Sequence, residues 1–274
     1  MGMQPTIRTV GERAAELPWI RRWRDARYAR QFFADTSLMR DLYRGVYDSF
    51  AEALASVPSA RSASYDNADS ADLYRERTRR VFINDYPIML WMSKLFETGS
   101  ASVFDLGGHI GLAYYAYQRY LEYPEAIRWC VLDVPAVNTA GEVWAREHDG
   151  RQRLTFTENP DSANGVDILF AAGSLQYLEY TLADLLGNLQ HLPRYLLLNS
   201  VPIHTSASYF TVQNIGTACC PYRITAEREF VDGLKALGYV MQDRWENPLR
   251  SCTIPSRPDR SLDRYFGFYF SRET

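Results

Sequence analysis

The chain has 274 residues, 46% of them hydrophobic, a formal net charge of -3 and a pI near 5.9. One substantial core fits this length, and the acidic balance argues against nucleic acid as a partner. The four cysteines, Cys130, Cys219, Cys220 and Cys252, show neither CxxC spacing nor a histidine ladder, so we expect no metal and no disulfide framework, and a reducing, cytoplasmic setting.

No secretory leader is expected at the start, which lacks an apolar run, and no run approaches bilayer-spanning length. Residues 1–100 read as an N-terminal helical cap region, and 101–274 as the main α/β domain. In the first part, LPWIRRWRDARYARQFF (17–33) is basic and aromatic. Read one way it touches a lipid headgroup or an anionic acceptor; the preferred reading is a helix lying on the domain with its arginines in solvent. Two segments with apolar residues at helical spacing follow, around Leu38 to Val57 and Leu73 to Phe96. The polar stretch between them, RSASYDNADSAD, reads as a loop, and Gly99 closes the second helix.

From Ser102 short apolar runs alternate with helical patterns. SVFDL is a strand, GLAYYAYQRYLEY a helix, IRWCVLDV a strand, VNTAGEVWAREHD a helix and RLTFTE a strand. VDILFAAGS is a strand, YTLADLLGNLQHL a helix and YLLLNSVPI a strand. Such alternation predicts an α/β layer structure with a mostly parallel sheet. EREFVDGLKALG is then a helix, and YVMQDRWE and RYFGFYFS are strands with no helix between them. They predict a hairpin and hence an antiparallel C-terminal edge.

The first strand runs into VFDLGGHIG, residues 103–111. A strand, glycine turn and helix present backbone N–H groups to a ligand at the carboxyl edge of the sheet. Asp105, Gly107, Gly108 and Gly111 do not fit GxGxxG. Asp133, at the end of the second strand in VLDVPAV, can accept hydrogen bonds from both hydroxyls of a ribose. A tight turn with a capping acid would leave the same trace.

The turn resembles the D-x-G-x-G-x-G motif of class I S-adenosylmethionine-dependent methyltransferases, with His109 where the middle glycine stands. RGVYDSFAEALA, VFDLGGHIGLAYYAYQRYL, RWCVLDVPAV, DILFAAGSLQYLEY, LLLNSVPIH, YFTVQNIGTACCPYRI, LGYVMQDRWENP and YFGFYFS follow in order over nearly the whole chain. Together they resemble a bacterial family named methyltransferase for its cofactor fold and often found among genes for surface polysaccharide or specialised biosynthesis. The resemblance implies a Rossmann-like class I methyltransferase sheet and S-adenosyl-L-methionine as cofactor. It implies O- or N-methylation of a small polar molecule or sugar-containing intermediate. A non-catalytic binding module on the same fold, or another reaction on it, stays open.

Under this reading Asp105, Gly107, Gly108, Gly111, Asp133, Ser174 and Gln176 bind cofactor. Gln176 can serve either the methionine amino group or the acceptor, and Tyr177 can flank the sulfonium or pack the next helix. His109, at a helix N-terminus that disfavours imidazolium, is the first candidate to handle a proton, or else a structural histidine. His204, after the fifth strand, is the second. Tyr177, Asn199, Gln213, Asn214, Tyr222 and Arg223 are candidate acceptor contacts. Cys219 and Cys220 read as small buried apolar residues.

Overall fold

A computed structural model describes residues 18–34, 41–62 and 75–273. A seven-stranded sheet has the order β10-β11-β6-β5-β2-β3-β4. Its strands are β2 (Ser102–Leu106), β3 (Arg128–Leu132), β4 (Leu154–Thr157), β5 (Ile168–Ala172), β6 (Tyr195–Val201), β10 (Tyr239–Asn247) and β11 (Tyr265–Arg272). β2, β3, β4, β5 and β6 pair in parallel, whereas β11 runs antiparallel to both β6 and β10. This is a mostly parallel α/β sheet with the antiparallel C-terminal edge that the sequence predicts.

Period-two alternation sorts the strand residues onto the two faces. Val103, Trp129, Phe170 and Leu197 pack on one face with Ile88, Met92 and Phe96 of helix α3 (Tyr86–Glu97). Phe104, Leu169, Leu196, Leu198, Phe268 and Phe270 pack on the other. Leu182, Leu185 and Leu186 of α6 (Leu182–Gly187) and Leu234 of α7 (Glu227–Ala236) cover that second face. Helices α4 (Leu112–Tyr117) and α5 (Pro135–His148) follow β2 and β3.

A second sheet, order β1-β8-β9-β7, joins the two parts of the chain. β1 (Leu42–Tyr47) pairs antiparallel with β8 (Tyr209–Asn214), which forms a hairpin with β9 (Cys219–Ala226); β7 (Ile203–His204) pairs parallel with β9. Helix α1 (Pro18–Phe32) turns Phe32 into this sheet and leaves residues 23–27 exposed. The Tyr28 hydroxyl donates to the Tyr43 carbonyl of β1 at 2.8 Å.

The structure corrects the helical reading of the first part. Leu42–Tyr47 is a strand, bulged between Arg44 and Tyr47 at Gly45, where φ is 79°. Among the described residues of that segment only Phe50–Ala55 (α2), capped by Ser49, is helical. In the second segment, 3-10 turns at Arg75–Arg79 and Ile83–Asp85 precede α3, which starts only where Pro87 sets its first turn. Gly99 lies just past the C-cap with φ 97°. Apart from Arg61 and Ser62, the stretch read as a loop lies outside the described residues.

All four cysteines are free thiols; Cys219, Cys220 and Cys252 are buried, and burial pushes the Cys220 thiol up to about 12. Among the described residues no group of His, Cys, Asp and Glu is arranged to hold a metal ion. No helix among them is long and apolar enough to cross a membrane.

Candidate active site at the carboxyl edge of the sheet

β2 ends at Leu106, and the chain turns through Gly107 (φ 73°), Gly108, His109 (φ 56°) and Ile110 to Gly111 (φ 85°), which caps α4. The turn is pinned to the end of β3 at two points. Gly107 N donates to the Leu132 carbonyl at 2.7 Å, and His109 N to Asp133 Oδ2 at 2.9 Å. Asp133 Oδ1 accepts from Val134 N at 2.8 Å, so the partly exposed carboxylate bridges the two strand ends.

The glycines are required by the protein itself. A Cβ on Gly108 would lie 2.3 Å from Asp105 Cγ, one on Gly107 2.3 Å from Ser174 Cβ, and one on Gly111 2.6 Å from Leu154 Cδ2. Asp105 is 1% exposed, beneath Gly108 and on the apolar face of β2. Burial pushes its carboxyl up to about 7; the Trp129 indole, donating to Oδ2 at 3.0 Å, opposes this and the Asp133 charge adds to it. A carboxyl in this position shapes the turn from below.

The end of β5 faces the turn. Ser174 Oγ donates to the Leu106 carbonyl, tying the β5 loop to β2. The 3-10 turn Leu175–Tyr177 follows. Gln176 is 5% exposed; its Nε2 donates to the Gly173 carbonyl at 2.7 Å, and its Oε1 is buried with no hydrogen-bond partner. A lost partner for such an oxygen costs about 1–3 kcal/mol. Tyr177, 36% exposed, donates through its hydroxyl to Gln213 Oε1 of β8 at 2.6 Å and sets its ring edge-on to Tyr222, centroids 5.3 Å apart.

Several expected acceptor contacts hold the second sheet together. Gln213 is 2% exposed and donates to Asp41 Oδ1 at 2.9 Å and to the Tyr43 hydroxyl at 3.1 Å. Tyr222 donates to the Tyr265 hydroxyl at 2.8 Å, which lies 3.1 Å from that of Tyr43. Asn214 is buried, donates to the Phe32 carbonyl and accepts from Gly216 N at 2.7 Å. Arg223 donates to the Glu179 carbonyl and lies 4.4 Å over the Phe210 ring. Asn199, 1% exposed, donates to the Asn84 carbonyl at 3.0 Å and accepts from Ser200 N at 3.0 Å, binding β6 to the segment before α3.

The two histidines differ. His109 is 4% exposed on the glycine turn. His204 lies in the second sheet, where Nδ1 accepts from Ser206 N and Ala207 N, each at 3.1 Å, and Nε2 faces the Asp259 carbonyl at 3.0 Å. Those partners fix Nδ1 as acceptor and Nε2–H as donor, so both nitrogens are engaged in shaping a loop.

The structure therefore brings Asp105, Gly107, Gly108, His109, Gly111, Asp133, Ser174 and Gln176 to one edge. Tyr177 links that edge to Gln213, Tyr222 and the second sheet. Sequence reasoning missed Trp129, Tyr43, Asp41 and Tyr265. Trp129 carried no sign of its role, because its tie to Asp105 crosses from one strand to the next. Asp41 and Tyr43 lay in a segment read as helix.

No family model matches the chain, and no curated protein matches it in sequence. Its fold is similar to those of several solved structures. One is the magnesium protoporphyrin IX methyltransferase of Synechocystis with bound S-adenosylmethionine: 12% identity, TM-score 0.47, covering 77% of this chain and 95% of that one. Another is the O-methyltransferase of a polyketide synthase multienzyme of Brevibacillus brevis with S-adenosylhomocysteine: 13% identity, TM-score 0.48, 68% of this chain and 71% of that one. A third, mitomycin 7-O-methyltransferase, shares 12% identity at TM-score 0.44, with 96% and 71% covered.

Proposed function

We propose that this chain is a methyltransferase that uses S-adenosyl-L-methionine and acts on a small polar molecule. One arrangement supports the reading: a glycine turn at the carboxyl end of β2, pinned through the His109 amide to Asp133 at the end of β3. Across from it, Gln176 presents a buried oxygen that the protein leaves unmatched. In an open α/β sheet this edge is where ligands bind.

The residues present fit the cofactor. Asp133 would hold the ribose, its carboxylate already oriented by two amides. Gly107 and Gly108 would give close backbone approach. Ser174 would keep the β5 loop against the turn. The role we assign to His109 is to position Asp133 through its amide. His204, with both nitrogens engaged, would shape the loop after β7.

The bound cofactor supplies an activated methyl group. The chain then needs only to exclude water and align the acceptor's attacking atom. The second sheet would serve as the cover: its Gln213 and Tyr222 meet Tyr177 beside the carboxyl edge of the large sheet.

Calorimetric titration with S-adenosylmethionine and S-adenosylhomocysteine tests this. Micromolar binding is expected, weakened at least tenfold in Asp133→Ala. Absence of binding to folded, ligand-free protein would remove the cofactor; unchanged affinity in the variant would remove the ribose assignment.

A further inference from the structure

The short turn after β5 is anchored through three of its side chains. Ser174 Oγ holds it to β2, the Gln176 Nε2 to the Gly173 carbonyl, and the Tyr177 hydroxyl to Gln213 of the second sheet. The remaining group is Gln176 Oε1, buried and without a partner. The orientation of this amide is forced, since the flipped form would set Oε1 against the Gly173 carbonyl oxygen. A Cβ built on Gly173 would lie 3.7 Å from both Gln176 Nε2 and Ser200 Cβ, so the amide sits between the ends of β5 and β6.

An amide oxygen only accepts, so its missing partner carries an N–H or O–H. An amide is also no base. A hydroxyl nucleophile that gave its one hydrogen to Oε1 would have to shed it beside a group that cannot take it. A neutral amine has no such conflict. Its lone pair attacks while a separate N–H stays on Oε1. The bond from nitrogen to the methyl carbon forms, the carbon–sulfur bond breaks, and its electron pair remains on sulfur. The positive charge passes from sulfur to nitrogen, and the ammonium later loses a proton to water.

Resting on the cofactor reading above, we infer that Gln176 is the positioning residue for a nitrogen nucleophile, and that the methyl acceptor is a primary or secondary amine.

Sinefungin probes this without turnover. It carries an amine-bearing carbon where the cofactor has its methylsulfonium, so its ammonium lies where nitrogen meets methyl. Calorimetry should show sinefungin binding about tenfold more tightly than S-adenosylhomocysteine, as a charged hydrogen bond supplies. The analogue with hydroxyl in place of that amine should not share the gain. Gln176→Met should erase the preference and leave S-adenosylhomocysteine within about twofold, which also shows that the variant folds.

If both ligands weaken in parallel in Gln176→Met, the oxygen serves the methionine ammonium they share, and the inference is overturned. An unchanged preference in that variant, or a hydroxyl analogue as tight as sinefungin, overturns it as well. Wild-type protein that binds neither ligand takes down the cofactor reading itself.

Discussion

Replacing Asp105 by Asn should change how stability depends on pH. The wild-type carboxyl titrates near 7 because burial disfavours its charge, against 3.8 for an exposed group, a shift of about 3 units. The folded chain therefore holds a proton that the unfolded chain has released. Stability from this group is full below about pH 4 and falls as pH rises, until the carboxyl ionises near 7. At about 1.36 kcal/mol per unit the whole effect is on the order of 4 kcal/mol, of which about 3 kcal/mol falls between pH 5 and 8. Asn keeps an oxygen for the Trp129 indole, now 3.0 Å from Asp105 Oδ2, and cannot ionise. Urea unfolding of both proteins from pH 5 to 8.5 measures the difference directly. Asp85, whose pKa burial also raises, titrates in both proteins and cancels in the comparison. The variant should gain on wild type by about 3 kcal/mol between pH 5 and 8. Parallel curves would show that Asp105 is not the buried acid described.

Gly108→Ala puts a methyl 2.3 Å from the Asp105 carboxyl and should cost about 1–3 kcal/mol in denaturant unfolding, with weaker S-adenosylhomocysteine binding. Tyr265→Phe strands the buried hydroxyl of Tyr222, leaves that of Tyr43 with Gln213 Nε2 alone, and should destabilise by about 1–3 kcal/mol; a loss under 0.5 kcal/mol would mean that water replaces the network. His109→Gly relieves a left-handed backbone at φ 56° yet keeps the amide that holds Asp133. It should keep S-adenosylhomocysteine affinity within about threefold, and loss of binding would transfer the role to the ring.

The large sheet was legible because each strand is short, apolar and bounded by a turn. SVFDL matches β2 (Ser102–Leu106) residue for residue. The Gly107–Gly111 turn and the C-terminal hairpin also announced themselves locally, through glycines and through two strands with no helix between them. The first hundred residues did not. LYRGVY alternates too briefly to declare a strand, and β1 exists because β8, more than 160 residues later, supplies its hydrogen bonds. The candidate site divides the same way. Asp133 and the glycines could be named from position along the chain. That Gln213 and Tyr222 are buried in a sheet, rather than free to meet an acceptor, depends on Tyr43 and Tyr265, which no spacing rule connects to them.

The second sheet also braces the carboxyl edge of the large sheet. Its cross-strand network runs from Tyr222 through Tyr265 and Tyr43 to Gln213, and Gln213 takes the Tyr177 hydroxyl. Tyr177 in turn ends the turn that carries Gln176. On the opposite side, Asn199 and Trp245 meet at 3.4 Å, and Asn199 grips the Asn84 carbonyl. The β5 and β6 loops are thus fixed by groups from both sheets, and the Gln176 oxygen is left without a partner within the protein. A polar atom left unmatched in so constrained a place is stable only because its neighbours are satisfied. Under the proposed role, the cost of the missing hydrogen bond is borne by the fold beforehand and would be recovered when a donor arrives.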